Sequence, residues 1–333
     1  MDNTYGTRGK SKFVTWLLVA VLLIAAVGAV FVVFNKKDNK EGNTGTYIQE
    51  GLVMKASPTV RLNEPLGIRF TAEISPELYN EVMADDNKQF GMVLAPVSYF
   101  MKVDLDGVGG VDWMNAFEEE QLTVLYMDGI TPFAITEPDG TLEEYRLNGT
   151  ISNVKYSNTN LQFLGIAYVI TTDGENVSYK YASFPDGLSY KQCSRSFSYV
   201  AAERLNECAV LNNYLSQADM DVLYGIINNS VDLANGLTEP TEDSSFYSVT
   251  LSDVSKTIGI EEEFTIKVDI AEAIPTPIWW QSSDTTVATV KDGVVTAHKE
   301  GTTTITAFVA GKEYKCVITV GEVQETNQAE IMR

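Results

Sequence analysis

The sequence predicts three kinds of structure along one chain. A transmembrane helix comes first, then an α+β domain with a largely antiparallel sheet and two C-terminal helices, then an all-β sandwich. Three observations predict this. Residues 13–34 are apolar and uncharged, residues 47–236 mix strand alternation with helical periodicity, and residues 246–321 hold only short strands between turns.

The first segment, Phe13 to Phe34, reads FVTWLLVAVLLIAAVGAVFVVF. At about 1.5 Å of rise per residue such a helix covers about 33 Å, enough for a hydrocarbon core of about 30 Å. Its flanks are basic on both sides, Arg8, Lys10 and Lys12 before and Lys36, Lys37 and Lys40 after. The positive-inside rule therefore does not orient it. The short arm 1–12 is the part expected inside and the long remainder is expected outside. Val27-Gly28-Ala29 offers the alternative of a cleaved signal peptide. The apolar run continues past it to Phe34 and is longer than a usual signal h-region, which favours an uncleaved anchor. Residues 35–46, NKKDNKEGNTGT, read as a polar linker, and residues 322–333 as a frayed tail without a wall-sorting signal. The expectation is a single-pass protein of the cell membrane, attached by residues 13–34 alone, with the C-terminal domains extracellular.

Charge narrows the partners. The chain of 333 residues has 24 Lys and Arg against 45 Asp and Glu, a net charge of -21. Phosphate backbones require a basic patch, so a nucleic-acid partner is excluded. Three cysteines, Cys193, Cys208 and Cys316, signal no disulfide framework. A helix running unbroken from Cys193 to Cys208 holds those two too far apart for a bridge.

Within 47–236 the elements follow from local pattern. GIRFTAEI (67–74) alternates Ile68, Phe70, Ala72 and Ile74 with polar residues, a strand with one buried face. Ser75 as N-cap, Pro76 and Glu77 open a helix with the apolar stripe Leu78, Tyr79, Val82 and Met83. QFGMVLAPV (89–97) is a strand, and LQFLGIAYVI (161–170) is apolar on both faces, hence central. Asp173-Gly174 turns it into NVSYKYAS (176–183) as a hairpin. A helix over about 194–212 aligns Phe197, Ala201, Leu205 and Cys208. Ser216 and Asp219 then form a capping box for a helix carrying Met220, Leu223, Ile227, Val231 and Ala234, which stops at Asn235-Gly236. The runs Gly67–Phe70, Gly165–Val169 and Arg195–Ala201 resemble an uncharacterised module of Firmicutes surface proteins, a resemblance that implies no activity.

Residues 237–245, LTEPTEDSS, read as an acidic linker. Beyond it the strands are YSVTL, EFTIKVDI, PIWW, TVATV, VVTAH, TTITAFVA and KCVITV, a spacing that fits a β-sandwich. Trp280-Gln281-Ser282-Ser283-Asp284, the valine strand Val287–Val290, Gly293-Val294-Val295, Gly301 through Ile305 to Ala307, and Cys316–Val320 stand in a specific order. In that order they resemble the bacterial Ig-like group 2 domain over residues 246–321. The chain departs from that pattern at Gly259-Ile260-Glu261 and at the prolines of 275–277. The resemblance implies an Ig-like sandwich of the kind found in surface and adhesion proteins.

Candidate sites are few. Asp104, Asp106 and Asp112 alternate with glycines, as an oxygen-ligand calcium loop would require. Val108 stands where a ligand is needed and no Glu closes the loop, so an ordinary acidic glycine turn competes with this metal reading. His298 is the only histidine, which rules out a histidine cluster, and a Ser–His–Asp triad would have to span two domains. Glu118-Glu119-Glu120 reads as a solvated face. Trp280 matches a core position of the resembled family, so strand alternation turns Trp279 outward. Trp279 is the candidate binding residue, facing the preceding domain or a sugar ring, or else sitting half-covered beneath Pro275–Pro277. No catalytic residue, no cofactor-binding residue and no cofactor are assigned.

These readings converge on a membrane-anchored bacterial surface protein with a binding, adhesion or display role. Its partners would be the membrane, a cell-wall or host glycan, or another surface protein. A membrane-tethered hydrolase of cell-wall or dietary glycans and a structural spacer are the alternatives.

Overall fold

The computed structural model describes residues 47–321, except 105–109, 186, 212–214, 240–245 and 273. The arm 1–12, the transmembrane segment 13–34, the linker 35–46, the tail 322–333 and most of the 237–245 linker lie outside the described residues. Among the described residues no helix is long and apolar enough to cross a membrane.

The mixed α/β region runs β1 (Ile48–Met54), β2 (Thr59–Arg61), β3 (Gly67–Ile74), α1 (Pro76–Met83), β4 (Lys88–Pro96), α2 (Val97–Val103) and α3 (Trp113–Glu119). It continues through β5 (Leu125–Met127), β6 (Phe133–Thr136), β7 (Leu142–Ser152), β8 (Gln162–Asp173), β9 (Asn176–Ser183), β10 (Arg195–Ser196), α4 (Phe197–Leu211) and α5 (Gln217–Ala234). One sheet takes the order β5-β4-β8-β9-β1-β3-β7-β6, with β10 beside β8 and β2 beside β3. Neighbours are antiparallel except β1 and β9, which run parallel.

Alternation divides this sheet between two cores. On β4, Met92 and Leu94 face one side while Val93 and Ala95 face the other. On β8 the same split separates Ala167 and Val169 from Ile166 and Tyr168. The first side packs against α1, α4 and α5 through Leu78, Ala201, Leu205, Leu223 and Ile227. The second is covered by Phe100 of α2, Trp113 and Phe117 of α3, and Tyr190 of the short helical turn 190–193. Burial on both faces is what the apolar β8 required.

Local signals set the helix starts. Ser75 Oγ accepts from Leu78 N at 3.2 Å and Pro76 occupies the first turn of α1. Ser216 Oγ accepts from Asp219 N at 3.1 Å at the head of α5, and Gly236 with φ of 86° follows its end. Two expectations need correction. Met83 does not join the buried stripe of α1 but is 54% exposed, because eight residues make only two turns and one narrow face. Cys193 is not on the helix with Cys208: it ends the 190–193 turn, and α4 starts only at Phe197, after β10 has added to β8. All three cysteines are free.

The C-terminal region is all β among the described residues. Its strands are β11 (Val249–Leu251), β12 (Ser255–Ile258), β13 (Glu263–Thr265), β14 (Val268–Ile270), β15 (Ile278–Ser282), β16 (Ala288–Lys291), β17 (Val294–Ala297), β18 (Gly301–Val309) and β19 (Lys312–Val320). They form sheets β12-β19-β18-β15, β13-β17-β16 and β11-β14. Ile305, Cys316, Ile318 and Val320 of the first face Val295, Ala297 and Ala288 of the second across one core. The expected single strand EFTIKVDI is two strands: Ile266 is buried between them and its N–H donates to Gly293 O at 2.9 Å, so β13 pairs β17 and β14 pairs β11. Ser255–Ile258, unassigned from the sequence, pairs parallel with β19.

The two regions share a core. Tyr247, Ile274, Val309 and Ala310 belong to the same buried cluster as Leu205 and Leu223. The wedge is the β18–β19 hairpin, whose two-residue turn Ala310-Gly311 has φ of 48° and 78°, the both-positive combination of a tight hairpin turn. A Cβ on Gly311 would stand 3.2 Å from Leu205 Cβ and 3.3 Å from the Tyr224 hydroxyl, a tight fit between α4 and α5 at a positive φ that favours glycine.

Candidate functional site

Trp279 and the described acidic candidates Asp104 and Asp112 lie in different regions of the chain. Trp279 and Trp280 are both half-buried on β15. Trp280 packs toward the sandwich core, with Gly293 beneath it: a Cβ there would lie 3.1 Å from the indole Cζ2. Trp279 points to the opposite face, where its cross-strand partner is the buried Phe308. His298 is exposed just past β17, with Nε2 2.8 Å from Thr289 Oγ1. The three glutamates 118–120 are exposed.

Asp106 lies outside the described residues. Asp104 and Asp112 each engage a tyrosine. Asp104 is 4% exposed at the end of α2, and its carboxylate, after burial, helps to raise the Tyr190 phenol above its usual range. Asp112, just before α3, accepts from the Tyr181 hydroxyl at 2.7 Å and from Asn115 Nδ2 at 2.6 Å. Among the described residues no group of three or more His, Cys, Asp or Glu could hold a metal ion.

Those contacts belong to a larger constellation on the α2/α3 side of the sheet. Register places Tyr126 opposite Val93, Val93 opposite Ile166, Tyr168 opposite Tyr181 and Ile170 opposite Tyr179. Four tyrosines therefore share one face. The Tyr168 and Tyr179 rings meet edge-on at 5.4 Å, and Tyr179 and Tyr181 stack at 6.3 Å. Such pairings are favourable for aromatic quadrupoles. Tyr168 crosses β4 because residue 91 is glycine: a Cβ there would sit 2.3 Å from the ring's Cε2. The hydroxyl so placed donates to Asp128 Oδ1 at 2.6 Å. Tyr181 also accepts from Met114 N at 2.8 Å, which ties α3 to the sheet.

Trp113, Phe117 and Phe100 cover Tyr181 at one end of this face. At the other end Tyr126, Ile170 and Tyr179 are only half-buried, beside the exposed carboxylates of Asp128 and Glu118. Burial first, then the Asp128 carboxylate, pushes the Tyr168 phenol far above its usual range, and burial with Asp112 does the same for Tyr181. Tyr126 and Tyr179 are raised for the same two reasons, burial and then Asp128. All four stay neutral at physiological pH. The arrangement presents aromatic faces, neutral hydroxyls and carboxylate acceptors without an activated nucleophile, a chemistry for holding a hydroxyl-rich or cationic ligand. The alternating tyrosines of NVSYKYAS, folded onto β8 by Asp173-Gly174, carried this signal in the sequence. The distant strand that supplies Tyr126 and Asp128 did not.

Comparison with known proteins follows the same division. Residues 245–320 match the bacterial Ig-like domain (group 2) family. No curated protein matches the chain. Among solved structures, domains 4 and 5 of the S-layer protein SbsC are 14% identical, with 48% of this chain and 66% of that one covered and a TM-score of 0.21. Domains 1-6 of the surface layer protein SbsC are 13% identical, covering 78% of this chain and 24% of that one, with a TM-score of 0.21. The BSP domain of a biofilm associated protein is 12% identical, covering 84% and 53%, with a TM-score of 0.19. Scores this low establish no common fold for the whole chain.

Proposed function

We propose that the chain is a bacterial cell-surface protein that binds or displays through its mixed α/β region and its Ig-like domain. The observation that carries the reading is the Ig-like domain at 245–320, seated directly on the helices of a second folded region. The apolar run 13–34 supports attachment to the membrane, and the short arm 1–12 supports an N-terminus inside. The ligand surface in this reading is the half-buried face of Tyr126 and Tyr179 with Asp128 at its rim. A sugar ring stacks on such faces while its hydroxyls donate to the carboxylate. Cell-wall or host glycans are the ligand class.

A glycan and wall-polymer array with the soluble fragment 47–333, assayed in parallel for released sugar, tests this. Retention without release is expected, reduced about tenfold by Tyr179→Ala, as for a lost stacking contact of about 1.4 kcal/mol. Released sugar would favour a hydrolase instead. Absence of retention on every polymer would leave the spacer reading.

A further inference from the structure

We propose that a second site, a cleft at the junction between the two regions, binds a tetrahedral oxyanion: a sulfate or phosphate group, free or esterified on a polymer. The cleft has a volume of about 210 Å³ and is lined by Lys191, Ser194, Arg195, Ser196 and Tyr199 on one side and Pro275 on the other. It is smaller than the roughly 300–1,000 Å³ of pockets that enclose a whole small molecule, so it suits a charged group rather than a complete ligand.

Charge is the first argument. In a chain of net charge -21, this cleft carries two cations, and among the described residues neither Lys191 nor Arg195 forms an ion pair. The carboxylate that bears on Tyr199 is Glu203, whose Oε2 already accepts from Ser57 Oγ at 2.6 Å. Arg195 is held in place by its Nη1, which donates to Ser194 O at 2.8 Å and to Gln192 O, and by its guanidinium lying 4.9 Å from the Tyr199 ring centroid. Its Nε–H is buried and meets no acceptor. A buried donor left unmet is costly, and the Nε/Nη2 edge of a guanidinium is the fork that takes two oxygens of a sulfate or phosphate. Binding in this proposal requires the guanidinium to turn on the Tyr199 ring so that this edge meets the oxyanion.

The backbone adds to this field. β10 leads without a break into the 15-residue helix α4, whose first turn, starting just after Ser196, holds Tyr199. The Ser198 and Tyr199 N–H groups are already taken by Thr159 O at 3.3 Å and Ser196 Oγ at 3.1 Å. The helix start therefore contributes its positive dipole end rather than direct ligands. Ser194 Oγ, buried and bonded to Lys191 O at 2.7 Å and Gln162 Oε1 at 3.1 Å, fixes the turn that carries both cations. Pro275 closes the cleft from the Ig-like side, so occupancy links to the stability of the junction.

The experiment is thermal unfolding of the full chain in non-ionic detergent, titrated with sodium phosphate or sodium sulfate at constant ionic strength held with chloride. A saturable rise in midpoint is expected for both oxyanions and not for chloride. Arg195→Gln should weaken the apparent affinity at least tenfold, and Lys191→Gln, an exposed change that leaves the fold intact, about threefold. The same titration with dextran sulfate and a phosphorylated oligosaccharide separates the sources: tighter binding than the inorganic ion identifies an esterified polymer, and equal binding a free ion. An unsaturable response, an equal response in wild type and Lys191→Gln, or acetate binding as tightly as phosphate would each overturn the proposal. Because the site is separate from Tyr126 and Tyr179, loss of array retention in Tyr179→Ala leaves this titration unchanged.

Discussion

Asn206 on α4 and Gly311 at the tip of the β18–β19 hairpin are joined by a hydrogen bond of 2.8 Å from the glycine N–H to Asn206 Oδ1. The same side chain donates through Nδ2 to Pro277 O at 2.9 Å, and it is completely buried. One amide thus satisfies two backbone groups of the Ig-like domain from a helix of the other region. Val309, Ala310 and Leu205 pack around it.

Asn206→Ala leaves the half-buried Gly311 N–H and the buried Pro277 C=O without these partners. Each unmet group costs about 1–3 kcal/mol. The wild-type chain is expected to unfold in one calorimetric transition, and the variant at a lower temperature with the two regions separating into distinct transitions. An unchanged single transition at the wild-type midpoint would show that the junction does not depend on this residue.

The tryptophan pair separates by face. Trp280→Ala opens space against the Val295 side of the sandwich and removes the cover of Gly293. Full burial of an aromatic makes such a change cost about 3–5 kcal/mol, and half-burial places Trp280 at the low end. Trp279→Ala loses its cross-strand pairing with Phe308, a pair worth about 0.2–1 kcal/mol. Urea unfolding of the two variants should rank them in that order, and the reverse ranking would invert the assigned faces.

Gly91→Ala should damage the tyrosine face from beneath. The new Cβ collides with the Tyr168 ring, which cannot move without giving up Asp128. Overpacking of this kind costs about 1–3 kcal/mol. Near-ultraviolet circular dichroism should register the displaced ring, and array retention should fall with it. If the dichroism is unchanged, the ring has another route past β4.

Alkaline pH should destabilise the chain by a route that Tyr247 reports. Burial pushes its phenol up to about 12 from an ordinary 10.0. Because the folded state holds the proton more tightly than the unfolded one, this contribution is fully present below pH 10.0 and is lost as the pH climbs to about 12. Two units correspond to about 2–3 kcal/mol. Tyr247→Phe should change stability little at pH 7 and flatten the fall over that window. Equal alkaline slopes in both proteins would show that Tyr247 is not the source.

Much of the local structure was legible because it rests on neighbours in sequence. Ser75-Pro76 and Ser216 with Asp219 start helices through contacts three residues away, and Asp173-Gly174 closes a hairpin through its own backbone. The ordered motifs from Trp280 to Val320 carried the Ig-like domain, since each is a turn or an alternating strand. Other features depend on partners far along the chain. Cys193 parted from α4 because β10 pairs with β8, some thirty residues earlier. That Asp104 lies beside Tyr190 and that Asp112 accepts from Tyr181 depends on a helical turn and a strand some seventy or more residues further along the chain. Asn206 and Gly311 are 105 positions apart, and nothing local marks either as half of a joint. Periodicity, capping and turn chemistry act over a few residues and can be read from them. Which hydroxyl meets which carboxylate, and which hairpin wedges between which helices, is decided only when the whole chain buries its apolar faces at once.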